Sequence, residues 1–250
     1  MVGNVNFNGG CMEKHIVSFS GGKDSTAMLL KMIEKGMRID EIVCIDTGME
    51  FPEMYEHIEK VKEYIKPYEI TVLKSKISFE EYLGTHKKTR GKHKGKSGYG
   101  WPDFRNRWCT HLLKKTVIKN YLNKSDDITE YHGIAIDERE RAFKNKDGRN
   151  LQYPLIEWNM TEQDCIKYCY DKGFDWGGLY EKMGRVSCYC CPLSTLKELK
   201  TVHDEYPDLW QNMRDIDDKI NGRFRADYSL EQLEDRFKYN SLWNFKDCQE

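Results

Sequence analysis

Residues 15–30 read H-I-V-S-F-S-G-G-K-D-S-T-A-M-L-L. An apolar stretch (Ile16, Val17, Phe19) is followed by Gly21-Gly22 and then by a helix-like run from Thr26 to Leu30. A strand, a tight glycine turn and a helix start are thus compressed into about a dozen residues. A helix start offers unpaired backbone N–H groups and a partial positive charge, both suited to a phosphate. Two glycines let the backbone approach an anion without Cβ clashes. Ser18, Ser20 and Ser25 add hydroxyls, Lys23 a cation and Asp24 a carboxylate. The same residues also suit a plain strand-to-helix turn, with Asp24 or Ser25 as the cap. A Walker A loop is excluded, because Val17 stands where its first glycine is required.

Strand and helix signals alternate onward. His15–Ser20 predicts a strand and Ser25–Glu34 a helix ending near Gly36. Glu41–Asp46 is a near-continuous apolar strand, as expected of a parallel sheet covered on both faces. Pro52 opens a helix to about Ile65, with Ile58, Val61 and Ile65 on one side. Glu69–Leu73 and Ile128–Ile134 read as further strands. The expectation is an α/β fold: an open, mostly parallel sheet with helices on both faces. Ligands then collect at the carboxyl ends of strands, where Ser20 and Asp46 both fall, so the two could face one pocket. Asp46 reads either as a ligand of Mg²⁺ or of the nucleotide sugar, or as a cap of the turn formed by Thr47 and Gly48. Helical signals dominate after residue 150, with capping boxes at Thr161/Asp164 and Thr195/Glu198. The expected organisation is a loose lead-in (1–13), a nucleotide-binding α/β domain (14–195) carrying a basic loop (84–108), and a helical C-terminal extension (196–250).

Residues 84–119 hold eleven Lys or Arg against one acid, Asp103, a formal charge of +10 in a chain whose net charge is −1. Five glycines in 84–100 suggest a mobile loop, and Tyr99, Trp101, Phe104 and Trp108 follow. Cations interleaved with aromatics suit tRNA or DNA, with bases stacked on rings; a solvated basic loop is the other reading. Nine cysteines, with no apolar run long enough for a membrane span and no signal-like start, suggest a reducing, cytoplasmic setting. Cys188, Cys190 and Cys191 cluster, and Cys109 follows a basic stretch expected to favour its thiolate. Together they could hold a [4Fe–4S] cluster or zinc, or carry a persulfide; packing alone is the remaining reading. Cys165 and Cys169, four apart, suit a helix core face.

The hexapeptide 20–25, together with I-D-T-G-M-E-F-P-E-M-Y at 45–55, resembles the PP-loop ATP pyrophosphatase superfamily and, within it, the phosphoadenosine phosphosulfate (PAPS) reductase family. Looser likeness continues through G-I-A-I-D-E-R-E-R-A (133–142), Y-P-L-I-E-W (153–158) and C-Y-C-C-P-L (188–193). The resemblance implies an adenine nucleotide alpha hydrolase-like fold, ATP on Ser20–Ser25, and Asp46, Thr47 and Gly48 bordering the nucleotide. It also puts Asp24 at the phosphate or Mg²⁺. Arg139, Arg141 and Arg185 are further phosphate candidates, or else surface ion pairs. Two departures separate this chain from the sulfonucleotide reductases. They carry a Cys-Cys pair where Trp108-Cys109 stands here, and a terminal E-C-G-x-H where this chain ends F-K-D-C-Q-E, with Cys248. Retention of the ATP-type hexapeptide favours ATP α–β cleavage feeding sulfur transfer, with a sulfur-donor protein as partner. The alternatives are a sulfonucleotide reductase using a thioredoxin-like reductant, an ATP sulfurylase-like adenylyltransferase, and a nucleic acid-binding module with structural zinc.

Overall fold

A computed structural model describes residues 13–89, 91–122, 127–143, 150–186, 188–220 and 223–242, the last three by backbone alone. Cys11, Arg90, Trp243 and Cys248 lie outside the described residues. In chain order the elements are β1 (Lys14–Ser18), α1 (Lys23–Glu34), β2 (Glu41–Asp46), α2 (Pro52–Tyr64), β3 (Ile70–Lys74) and α3 (Phe79–Gly84). A π-helical turn (Thr110–Lys115) leads into α4 (Thr116–Tyr121), followed by β4 (Ile128–His132), α5 (Glu140–Phe143), β5 (Asn150–Gln152), α6 (Pro154–Glu157) and α7 (Glu162–Asp171). Short helix α8 (Leu179–Lys182) and the longer α9 (Leu196–Glu205), α10 (Pro207–Asp217) and α11 (Leu230–Leu242) complete the chain.

The chain sorts into two compact units: residues 1–45, 57–73 and 118–174, and residues 46–56, 74–117 and 175–250. The first unit is built on the sheet, ordered β3-β2-β1-β4-β5. β1 pairs in parallel with β2 and β4, and β4 with β5. Consecutive residues of β2 are buried (Ile42, Val43, Cys44), and so are Ile16 and Val17 of β1. Neighbours on a strand point to opposite faces, so both faces are covered, as the apolar runs imply. The expected sheet is therefore present. β5 is an addition, because three residues, N-L-Q, are too few to show a period.

α1 starts two residues earlier than its sequence suggests. β1 ends at Ser18, Gly21 turns the chain at φ +78°, and Gly22, in extended conformation, takes the cap position. No side chain caps this helix, so neither Asp24 nor Ser25 serves as its N-cap. Ile58, Val61 and Ile65 are buried as expected, and both capping boxes are formed. Cys165 and Cys169 are fully buried on α7.

In the second unit, the stretch expected as a mobile loop folds back on itself. Lys87 bridges Ser97 antiparallel, and the N–H groups of Gly98, Tyr99 and Gly100 donate to the carbonyls of His86, Tyr82 and Leu83. Trp101 and Trp108 are buried against Phe79, and the Trp101 indole also donates to Asp217 of α10 at 2.6 Å. The expectation that these two rings stack on bases is thereby corrected. Phe79 and α10 already claim them, and burying an aromatic ring stabilises more than leaving it exposed for an absent partner. Phe104 remains 69% exposed, with the Arg105 guanidinium over its ring.

Gly98 closes the base of the fold-back. Its φ is +65°, and a Cβ there would lie 2.5 Å from the Leu83 carbonyl oxygen. Gly98→Ala is expected to lose at least about 1–2 kcal/mol from the left-handed backbone alone, read as a lowered urea midpoint; an unchanged midpoint would refute the assignment.

Candidate functional site

The first unit carries the glycine turn expected to hold an anion. The Ser25 hydroxyl donates to the Gly22 carbonyl at 3.0 Å and accepts from the Ser20 N–H at 3.2 Å, with the Ser20 hydroxyl 3.0 Å away. Ser25 is buried, so its hydroxyl shapes the turn from inside, while Ser20 is exposed. Ser18 is the last residue of β1. Behind the turn stands Gly133, directly after β4. A Cβ on it would fall 2.7 Å from Ser25 N and 2.8 Å from Ser25 Cα, so only glycine admits this contact.

Lys23 does not extend freely into the turn. Its ammonium lies 2.9 Å from Glu162 Oε1 on α7 and 3.2 Å from Asp24 Oδ2. Burial opposes the charge of Lys23, yet the Glu162 and Asp24 carboxylates outweigh it and hold the ammonium above its usual range. Burial pushes the Asp24 carboxyl up, and Lys23 offsets this only in part. Asp24 Oδ1 is sealed from solvent with no hydrogen-bond partner among the described residues. Asp24, Glu138 and Glu162 bring carboxylate oxygens within 4.8 Å of one another. Hard oxygen donors of this kind fit Mg²⁺. Arg141 is ion-paired to Glu138, while Arg139 is exposed.

The second unit holds the D-T-G segment and the cysteines. Asp46 Oδ1 accepts from the Gly48 N–H at 2.7 Å and from the Tyr55 hydroxyl at 3.0 Å, and Lys74 Nζ is 2.8 Å from Oδ2. Burial pushes this carboxyl up, but Lys74, Gly48 and Tyr55 together hold it below its ordinary value. Oδ1 thus organises the turn at Thr47-Gly48, where Gly48 has φ +77°, while Oδ2 holds Lys74. The Thr47 hydroxyl donates to Glu50 at 3.0 Å, and both lie 3.8 Å from Cys188 Sγ. The Cys191 N–H donates to the Cys188 carbonyl at 3.1 Å, closing the C-x-x-C turn, and Cys190 is buried inside it.

Cys109 was expected as a thiolate. Burial instead pushes its thiol up, followed by the neighbouring Cys191, and the Arg107 charge does not compensate. Burial likewise raises Cys188 and Cys190. Thiols of this kind ionise when a metal supplies the compensating charge. One tetrahedral zinc at about 2.3 Å from each sulfur needs sulfurs within about 4 Å of one another. Among the described residues no three cysteines lie within 4.8 Å. A single zinc asks its sulfurs to lie closer together than a cubane does, since a cubane spreads its thiolates over separate irons.

Sequence reading missed Glu138, Glu162, Gly133, Glu50, Tyr55 and Lys74. The capping box at Thr161 was visible, but not that the next residue reaches back 139 positions to Lys23. Gly133 had a signal, a glycine straight after a strand, which marks close backbone approach.

Two outcomes are expected. Gly133→Ala forces the backbone of Asp24 and Ser25 away and lowers the urea midpoint, a loss of at least about 1 kcal/mol of stability at the low end of an overpacking penalty; an unchanged midpoint would refute the contact. The folded Asp46 carboxyl lies below its unfolded value, so its stabilisation is complete above about pH 4 and is lost as pH falls through the folded value. Asp46→Asn should therefore lower the urea midpoint at pH 7, with the gap to wild type narrowing as pH falls below about 4; a gap that does not change with pH would count against it.

Residues 14–194 match the phosphoadenosine phosphosulfate reductase domain. Two uncharacterised proteins of Methanocaldococcus jannaschii are 27% and 32% identical, each over 80% of this chain. The chain spans only 41% and 46% of their lengths. The adenosine 5'-phosphosulfate reductase of Bacillus velezensis is 41% identical over 70% of this chain and 72% of its own. Among solved structures, the U34-tRNA thiolase NcsA from Methanococcus maripaludis with its [4Fe–4S] cluster is 16% identical, with a TM-score of 0.39 over 95% of this chain and 75% of that one. The match across the sheet, the glycine turn and the cysteine segment places the chain in the phosphoadenosine phosphosulfate reductase family.

Proposed function

We propose that this chain binds ATP on Ser20–Ser25 and cleaves it to AMP and pyrophosphate, activating an acceptor for sulfur transfer. The observation that carries this reading is the side-chain-free cap of α1, beside a lysine already embedded among carboxylates. The turn's backbone and the Ser20 hydroxyl cradle phosphate oxygens, and Lys23 neutralises charge growing on the departing pyrophosphate. Mg²⁺, held by Asp24, Glu138 and Glu162, would supply further neutralisation there. An acceptor oxygen attacks the α-phosphorus, pyrophosphate leaves, and a sulfur nucleophile then displaces AMP from the adenylylated acceptor. Arg139 and Arg141 are proposed as further phosphate contacts.

A [4Fe–4S] cluster on Cys109, Cys188 and Cys191 would supply the means to bind or reduce sulfur. The acceptor class proposed is a nucleic acid, tRNA or DNA, gripped by the fold-back at 86–98. There Lys87, Lys92, Lys94 and Lys96 are exposed on a hydrogen-bonded base. With Trp101 and Trp108 buried, stacking falls to Phe104. The partner supplying sulfur is a donor protein, and the setting is cytoplasmic; no described helix is long and apolar enough to cross a membrane.

A second reading, reduction of a sulfonucleotide with a thioredoxin-like reductant, is favoured by the 41% identity to the B. velezensis reductase. One experiment separates them. Anaerobically purified protein is given either ATP with bulk tRNA or DNA, or adenylyl sulfate with thioredoxin. Pyrophosphate release that Lys23→Ala reduces by about a hundredfold or more, on the scale of losing one transition-state charge partner, supports the proposal. Sulfite from adenylyl sulfate, without ATP consumption, would replace it with the reductase.

A further inference from the structure

Lys23 is the only cation of the hexapeptide, and it is engaged. Its side chain is 18% exposed, against 42% for Glu162, its partner at 2.9 Å. The two ends of this contact differ in freedom. Lys23 is the first residue of α1, directly after Gly22, and is part-buried. Glu162 opens α7, and its backbone is fixed twice over: its N–H points at both oxygens of Asp137 at 3.2 Å, and Thr161 before it forms the capping box with Asp164. The Glu162 side chain, more than one third solvated, is the freer end of the contact.

The charges around this contact are unbalanced. Asp24, Glu138 and Glu162 present three carboxylates, against the ammonium of Lys23 and the guanidinium of Arg141. A polyphosphate arriving alone meets net negative charge and a lysine that is already neutralised. Glu162 thus competes with the ligand for one ammonium, from inside the protein.

We propose that Glu162 is an internal latch on Lys23: it holds the ammonium while the cradle is empty, yields it to a polyphosphate, and makes cation-free polyphosphate a poor ligand. This rests on the nucleotide reading above and adds a specificity-determining residue to that site. A bound divalent cation offsets the carboxylates and lets Lys23 turn to the phosphates, so discrimination favours the metal-complexed nucleotide. Glu162 acts through Lys23 and through charge, and is a positioning residue.

The test is calorimetric binding of a non-hydrolysable ATP analogue to the full chain, wild type against Glu162→Gln and Glu162→Ala. Each is measured in EDTA and in millimolar Mg²⁺, with thermal melts as a check on folding. In EDTA both variants should bind about tenfold more tightly than wild type, the scale of one removed charge pair at a partly buried site. The gain from Mg²⁺ should shrink in both. Loss of a purely structural residue cannot tighten binding, so the direction of the change separates the two roles. Equal or weaker EDTA affinity in the folded variants, with wild type still binding in Mg²⁺, overturns the latch alone. Absence of analogue binding to wild type in both buffers instead overturns the nucleotide reading, and the latch with it.

Discussion

The first turn of α1 is fixed from behind by a glycine. Gly133 follows β4, and no side chain fits between its Cα and the backbone of Asp24 and Ser25. β4 is hydrogen-bonded beside β1, so the sheet pushes this contact up against the turn that β1 feeds. Removing the Cβ lets two backbone segments meet, which sets where the helix starts and therefore where its unpaired N–H groups point. The internal hydrogen bonds of Ser25 then hold the turn's shape from within, leaving Ser20 exposed. A cradle assembled this way needs no ligand to define it.

Electrostatics at that turn work against the shape. A helix start favours anions, yet Asp24 sits in the first turn, and Glu162 and Glu138 stand nearby. Carboxylates near a helix N-terminus are stabilised by roughly 0.3–1 kcal/mol, far less than the repulsion three of them would exert on a polyphosphate at low effective dielectric. Lys23 and Arg141 offset part of that charge. On the proposed reading, a divalent cation arriving with the ligand would offset the remainder.

What the sequence revealed follows the range of the interactions involved. The parallel sheet, the turn at Gly21-Gly22, both capping boxes and the buried pair Cys165/Cys169 were legible, because each is encoded within a few residues by period or punctuation. Glu162, Gly133 and Lys74 were not, because each acts on a residue far along the chain. Trp101 and Trp108 misled for the same reason: composition placed them beside cations, whereas Asp217 and Phe224, more than a hundred residues on, decide that Trp101 belongs to a core. Cys109 misled differently. Its neighbours Arg107 and a helix start argue for a thiolate, but burial, invisible in sequence, outweighs them.

That last reversal bears on what the second unit does. Cys188 touches Thr47 and Glu50, both from the D-T-G-M-E segment, and Glu50 is also 3.9 Å from Lys114. The segment that sequence assigns to the nucleotide therefore also supports the cysteine turn. Asp46 shows how: with both oxygens taken by Gly48, Tyr55 and Lys74, it fixes the turn that presents Thr47. Burial holds the thiols of Cys109, Cys188 and Cys190 above their ordinary range, which disfavours the free thiolate. A metal centre, as proposed above, would supply the compensating charge that ionises them.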